Sequence, residues 1–253
     1  MIGRKSEWQS LNELLQKKTS SLVTIRGRRR IGKSTLCLEY SKQFKNIILI
    51  QGLAPRENLN NQEQINHFIH EINRQTGFPL VEVNDWMDAF HILAKQLSNH
   101  KFLIVLDEIS WMGKFDPDFP GKLKIAWDTL FKVNNKLVMV LCGSVSTWIK
   151  KNILNSTAFV GRISLDLKVS ELNLSESKKM LQNKYVTNYE YLKIFSITGG
   201  VPKYLEEINI KESAEQNIQR LVLNKSGFLF KEFNSLFHDI FEQKTASFRK
   251  ILQ

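Results

Sequence analysis

The run Gly27-Arg28-Arg29-Arg30-Ile31-Gly32-Lys33-Ser34 sets two glycines, a lysine and a hydroxyl at the spacing G-x-x-x-x-G-K-[ST]. Glycines at these positions let the backbone curl until successive N–H groups face one centre, an arrangement that suits an anion. A helical pattern opens directly behind the loop at Ser34 and Thr35, and the positive end of its dipole adds to that field. Such a nest holds a β-phosphate, Lys33 reaches the β- and γ-phosphates as a point charge, and the Ser34 hydroxyl ligates Mg²⁺. Three arginines inside the loop are unusual. Arg28, Arg29 and Arg30 either add field at the phosphates, bind acidic groups of a partner, or face solvent.

A second constellation follows 74 residues after Lys33, where Phe102-Leu103-Ile104-Val105-Leu106 ends in Asp107-Glu108. A phosphate loop needs an acid at the carboxyl end of a neighbouring strand to hold the Mg²⁺ hydration shell, and Asp107 fits. Glu108 is placed to polarise an attacking water as a general base. The run Leu137 to Cys142 ends in Gly143-Ser144. Ser144 either hydrogen-bonds the lytic water or γ-phosphate, or caps a helix. Arg162 precedes another apolar run and is a candidate for the γ-phosphate of its own or a neighbouring subunit.

The elements that must carry these residues alternate. Continuous apolar runs at Leu22 to Ile25, Ile47 to Ile50, Phe102 to Leu106 and Leu137 to Cys142, with a weaker one at Ile163 to Leu167, suit strands covered on both faces. Helical patterns at Ser34 to Phe44, Gln62 to Gln75, Asp85 to Leu97 and Lys122 to Lys132 separate them. This predicts a doubly wound α/β core over residues 1–168. From residue 169 to 253 only helical patterns remain. One opens at Ser175, another spans Glu190 to Thr198 and stops at Gly199-Gly200, and Pro202 starts the next. Ala214 to Leu223 and Phe230 to Phe241 follow, and the last seven residues keep an amphipathic pattern without a stop signal. The expectation is a helical second domain, truncated before a further region that carries the effector role.

The chain has 253 residues, and 36 Lys+Arg against 25 Asp+Glu give a net charge of +11. That charge favours a polyanionic partner: nucleotide, nucleic acid or an anionic surface. Residues 1–170 hold 24 basic and 15 acidic side chains, so the surplus lies with the phosphate chemistry. Two cysteines, Cys37 and Cys142, make no disulfide framework and read as small core residues. No apolar run is long enough for a membrane helix and no signal peptide is visible, so the expectation is a cytoplasmic protein. His67 and His70 stand at i, i+3, but a third metal ligand is missing.

Taken together, these motifs resemble P-loop ATPases of the AAA+ and STAND type, and most closely the archaeal and bacterial group known as the MNS clade. Ile2-Gly3-Arg4-Lys5-Ser6-Glu7 is similar to that family's opening segment near the adenine, so Ile2, Gly3 and Arg4 are implied in nucleotide binding. The loop from Gly27 to Ser34, with Ile31 before its second glycine, resembles the family's arginine-rich loop. Leu106-Asp107-Glu108 is similar to its acidic strand motif. Gly199-Gly200-Val201-Pro202 resembles its lid motif, whose proline touches the base. Trp111 and Trp127-Asp128 are also similar to family positions.

The resemblance implies a five-stranded parallel sheet in the order 5-1-4-3-2 beneath a helical lid. It also implies ATP as the nucleotide; no N-K-x-D motif for guanine is present. Three functions compete. One is Mg²⁺-dependent ATP hydrolysis coupled to closure of the lid. Another is a slowly hydrolysing switch or scaffold controlling a protein or nucleic-acid partner, with homo-oligomers as one form. The third is a nucleic-acid-binding module with a regulatory nucleotide site. The general-base candidate Glu108 favours the first over the second, and the third lacks a recognised nucleic-acid module.

Overall fold

A computed structural model describes residues 2–98, 100–144, 146–182 and 187–232. The chain runs α1 (Lys5–Leu14), β1 (Ser21–Arg26), α2 (Lys33–Ser41), β2 (Asn46–Gln51), α3 (Asn61–Thr76), α4 (Trp86–Lys95) and β3 (Phe102–Asp107). It continues through α5 (Ile109–Met112), α6 (Phe119–Ala126), β4 (Leu137–Gly143), α7 (Ser146–Ile149) and β5 (Ile163–Lys168). Then come α8 (Leu174–Met180), α9 (Asn188–Thr198), α10 (Pro202–Glu206) and α11 (Ala214–Ile218). Wider π-turns extend α6, α7 and α11 over Trp127–Phe131, Lys150–Leu154 and Gln219–Leu223. One compact unit is Arg4–Ser170; the other comprises the described residues of Met1–Gly3 and Glu171–Gln253.

The strands of the first unit form one parallel sheet in the order β2-β3-β4-β1-β5, the predicted order read from its other edge. The sequence of each strand matches its place. Every residue of central β4 is buried, whereas edge strand β5 buries only Leu167. Continuous apolar runs therefore occupy the middle, and mixed ones the rims. Because the strands are parallel, all their carboxyl ends lie on one side. Arg26, Asp107 and Gly143 end there, and the loops after them meet.

Aromatic side chains dominate the core on one face of this sheet. Trp86 is fully buried and meets Phe68 and Phe119 edge-on, at centroid distances of 5.3 and 4.8 Å. Such pairs contribute about 0.5–1.5 kcal/mol each beyond their area. Helix α3 also protects the exposed edge of β2. Gln75 brackets the N–H and C=O of Leu49, His67 meets the Gln51 carbonyl at 2.9 Å, and Gln64 brackets Leu53. Three helix side chains thus replace the missing neighbour strand along alternate residues, which blunts an edge open to pairing with other chains. His67 thereby has a structural role.

Helix α1 was not foreseen. It begins at Lys5, inside the opening segment, and its N-cap Arg4 makes no side-chain cap bond, so the usual start signal is absent. Its Leu11 and Leu14 are buried, and the Leu11 carbonyl accepts the buried Tyr40 hydroxyl at 2.8 Å. Burial pushes that phenol well above its ordinary pKa. Helix α6 starts at Phe119, before the predicted Lys122, with Pro120 in its first turn.

The second unit has its own core, built on Leu172, Tyr191, Ile194, Leu205 and Leu221. Capping boxes at Asn173/Glu176 and Ser213/Gln216 open α8 and α11. Gly199 ends α9 and Pro202 opens α10, as the sequence predicts. The predicted helix Phe230 to Phe241 beyond residue 232, Tyr185, and the amphipathic stretch 247–253 lie outside the described residues.

Candidate phosphate-binding site

Strand β1 delivers Gly27 and helix α2 begins at Lys33, so residues 27–32 bridge a strand end and a helix start. Two glycines make this bridge possible. A Cβ at Gly27 would fall 2.3 Å from the Val169 carbonyl oxygen and 2.6 Å from Ile31 Cδ1. Gly32, the N-cap of α2, sits at φ 88, which L side chains rarely adopt, and a Cβ there would meet no protein atom within 4 Å. No side chain caps α2, so its first N–H groups point out of the helix end unclaimed by a cap.

Lys33 is only 5% exposed and donates from Nζ to the Arg28 carbonyl at 3.0 Å, across the loop. Among the described residues it has no carboxylate partner. A buried ammonium without an ion pair is costly, and an anion is its complement. The loop is supported from below: Arg4 is buried and donates from Nη2 to the Ile31 carbonyl at 2.8 Å. The Arg29 guanidinium lies 5.6 Å from the centre of the Trp111 ring. Arg28 and Arg30 are exposed, and Arg30 takes φ 69.

Ser34 donates from Oγ to Asp107 Oδ2 at 2.7 Å. The other oxygen of Asp107 accepts the Glu108 N–H at 2.9 Å. Glu108 itself adopts φ 50 and ψ 47, a left-handed turn directly after β3. Its Oε2 accepts two bonds from Ser144, from the backbone N–H at 3.1 Å and the hydroxyl at 2.8 Å. Ser34, Asp107, Glu108 and Ser144 therefore form one connected line from the amino end of α2 across the carboxyl ends of β3 and β4. Beside it lies a cavity of about 560 Å³ lined by Ser34, Cys37, Gln51, His67, Asp107 and Trp111. The two cysteines are buried, and Cys142 has its thiol pushed up by neighbouring Cys37, by burial and by Asp107.

Arg162 needs correction. It precedes β5, and Ile163 pairs with Leu22 at the amino end of β1, whereas the loop follows the carboxyl end of β1. A six-residue strand separates the two ends by roughly 17–20 Å. Arg162 cannot reach a phosphate held by its own loop. It instead grips Asp128, Nε to Oδ1 at 3.0 Å and Nη2 to Oδ2 at 2.8 Å. Ile2, Gly3 and Pro202 belong to the second unit. Gly3 packs there so closely that a Cβ would lie 2.5 Å from Leu172 Cδ2.

Sequence reasoning missed the anchor of the loop. Arg26, its immediate predecessor, forms a two-pronged pair with Asp166 on β5, Nε to Oδ1 at 3.0 Å and Nη2 to Oδ2 at 2.7 Å. Buried Thr24 adds a third bond to the same carboxylate at 2.6 Å. Burial raises the Asp166 pKa, but Arg26 and Thr24 outweigh it and hold it below the usual range. The Val169 N–H also donates to the Arg26 carbonyl at 2.8 Å. The one visible signal was an acid at alternate spacing in the weak fifth strand.

The donor set fits Mg²⁺ bound beside a nucleotide phosphate. Ser34 and Asp107 offer hard oxygens, and no group of three or more His, Cys, Asp or Glu that could hold a metal occurs among the described residues. Mg²⁺ commonly takes one or two protein ligands and fills its shell with water and phosphate.

Comparison with known proteins agrees with the fold. Residues 1–208 match the sequence profile of an ATPase domain predominantly from Archaea. An uncharacterized protein of Methanocaldococcus jannaschii, MJECL04, is 24% identical over 258 residues, covering 100% of this chain and 53% of that protein. The chain thus spans about half the length of this curated relative. Among solved structures, the Walker-type ATPase PABY2304 of Pyrococcus abyssi superposes with a TM-score of 0.65 at 18% identity, over 95% of this chain and 79% of that one. The Aeropyrum pernix ORC2 protein gives 0.53 at 18%, over 81% and 61%. Drosophila ORC bound to DNA gives 0.57 at 16%, over 95% and 67%. These likenesses show the fold.

Proposed function

The chain belongs to the family of ATPase domains found predominantly in Archaea, and from that premise we propose that it binds ATP with Mg²⁺ and hydrolyses it. The observation that carries this reading is the buried ammonium of Lys33, without a carboxylate partner among the described residues, at the uncapped helix start where the loop ends. Loop N–H groups and Lys33 bind and orient the β- and γ-phosphates. Ser34 and Asp107 would hold Mg²⁺, which would supply positive charge against the phosphates. Glu108 takes a proton from the attacking water, and Ser144 fixes its carboxylate through two hydrogen bonds. Arg4 and Arg26 act at one remove by holding the loop's two ends. Coupling of turnover to movement of the helical unit, with Pro202 near the base, is part of the same proposal, as is a cytoplasmic location.

Calorimetric titration of Mg-ATP tests it. Lys33→Ala, folded as wild type, is expected to bind about 10- to 100-fold more weakly, the usual worth of hydrogen bonds to charged groups. Unchanged affinity would overturn the assignment.

The engagement of Glu108 by Ser144 also favours a second reading, a switch that holds ATP and turns it over slowly. In that case Ser144→Ala frees the base and turnover rises. If Ser144 only orients the base, the same variant turns over more slowly than wild type. A role for Arg162 at a phosphate would require a second copy of the chain, which sedimentation with and without Mg-ATP would detect.

A further inference from the structure

The amino ends of the five parallel strands lie together, on the side of the sheet opposite the phosphate loop. Register fixes this: Asn46 pairs with Phe102, Phe102 with Leu137, Ser21 with Val138, and Leu22 with Ile163. Every strand is entered through a cation. Lys17 and Lys18 precede β1, and Lys42 and Lys45 precede β2. Lys101 precedes β3, Lys132 and Lys136 precede β4, and Arg162 precedes β5. The connections 15–20, 42–45, 96–101, 132–136 and 160–162 contain no Asp or Glu.

Hydrogen bonds stitch most of these connections into one surface. Ser20 donates to the Lys132 carbonyl at 3.3 Å, Asn46 to the Lys101 carbonyl at 3.3 Å, and Asn134 to the Ser98 carbonyl at 2.8 Å. The Phe102 N–H donates to the Lys136 carbonyl at 3.3 Å. Among the described residues, two carboxylates pair with these cations. Glu39 pairs with Lys42 at 2.7 Å, and Asp128 is shared by Lys124, Lys132 and Arg162. Asp128 is accordingly held far below the usual carboxylate range, first by Arg162 and then by the lysines. Lys17, Lys18, Lys45 and Lys136 are exposed and have no carboxylate partner among the described residues.

We propose that this face binds the phosphate backbone of a nucleic-acid duplex without reading sequence. Five strands about 4.8 Å apart span roughly 19 Å. At one charge per about 1.7 Å of duplex axis, a duplex laid along that width carries about eleven phosphates, part of which face the protein. The exposed large apolar side chains in these connections are Val133 and Val160, each 70% exposed, and none of the described residues of these connections is an exposed Phe, Trp or Tyr. A membrane surface would need an apolar or aromatic wedge, and a protein interface an apolar centre. The proposal is independent of the nucleotide reading, because the two sites occupy opposite ends of the sheet.

The test is fluorescence anisotropy of the whole chain with a labelled 20-base-pair DNA duplex of mixed sequence, across a salt series. Wild type is expected to bind at low salt, with affinity falling linearly in log–log form. The variant Lys17→Ala/Lys18→Ala/Lys45→Ala/Lys136→Ala is expected to lower the slope by about 3 to 4, near 0.9 for each lost contact. A control of equal charge, Lys151→Ala/Lys179→Ala/Lys211→Ala/Lys225→Ala, is expected to leave the slope nearly unchanged. Circular dichroism and Mg-ATP affinity verify that each variant is folded. Absence of duplex binding by wild type overturns the proposal. So do equal losses in the two variants, an unaffected first variant, or lysine-dependent binding to phosphatidylserine vesicles in place of the duplex.

Discussion

Glu108 occupies a left-handed backbone conformation, φ 50 and ψ 47, that costs an L-residue about 1–2 kcal/mol. The turn directs Asp107 toward Ser34 and Glu108 toward Ser144, so two adjacent acids serve different neighbours. Separation of roles of this kind is what metal holding and proton transfer require. Glu108→Gln keeps the shape and one acceptor but removes the base. Mg-ATP binding is expected to persist, while phosphate release falls by about 10²- to 10⁴-fold. A mutant that turns over as fast as wild type would reduce Glu108 to a strand-end carboxylate. Asp107 and Glu108 were legible because an apolar run ending in two acids is visible in one dimension. The bond from Ser144 was not, since the same serine fits a helix cap equally well.

At the scale of elements, the loop depends on the pairing of β1 with β5. Arg26 and Asp166 lie 140 residues apart, and only strand register brings them together. No local pattern encodes that meeting, whereas the five strands themselves were legible from their apolar runs. Helix α1 escaped notice for a related reason: its stability comes from Leu11, Leu14 and the bond to Tyr40 rather than from a capping signal. The Asp166 carboxyl is held below its unfolded pKa of about 3.9. A depressed native pKa contributes stability above the unfolded pKa, and that contribution is lost as pH falls through the native value. Asp166→Asn is therefore expected to be less stable than wild type at neutral pH. The gap in urea midpoint should narrow as pH drops from about 5 toward 2. A gap that stays constant over that range would mean that Asp166 acts by packing alone.

The chain divides into two compact units, and they differ in the probes they carry. Trp8, Trp86, Trp111, Trp127 and Trp148 all fall within Arg4–Ser170, so tryptophan fluorescence follows that unit and not the helical one. Far-ultraviolet circular dichroism follows both. A ligand that binds only the folded state stabilises by RT ln(1 + [L]/Kd), about 2.7 kcal/mol at 100 times Kd. For a unit of this size, 1 kcal/mol moves the melting midpoint by about 2–4 °C. A slowly hydrolysed ATP analogue with Mg²⁺ at that concentration is expected to raise the fluorescence-detected midpoint by about 5–10 °C. In Lys33→Ala the same concentration should raise it far less, because the affinity has dropped. If the helical unit closes on bound nucleotide, the dichroism transition rises with the fluorescence one. If only the dichroism midpoint moves while the tryptophans melt as before, the nucleotide does not bind at the loop from Gly27 to Ser34.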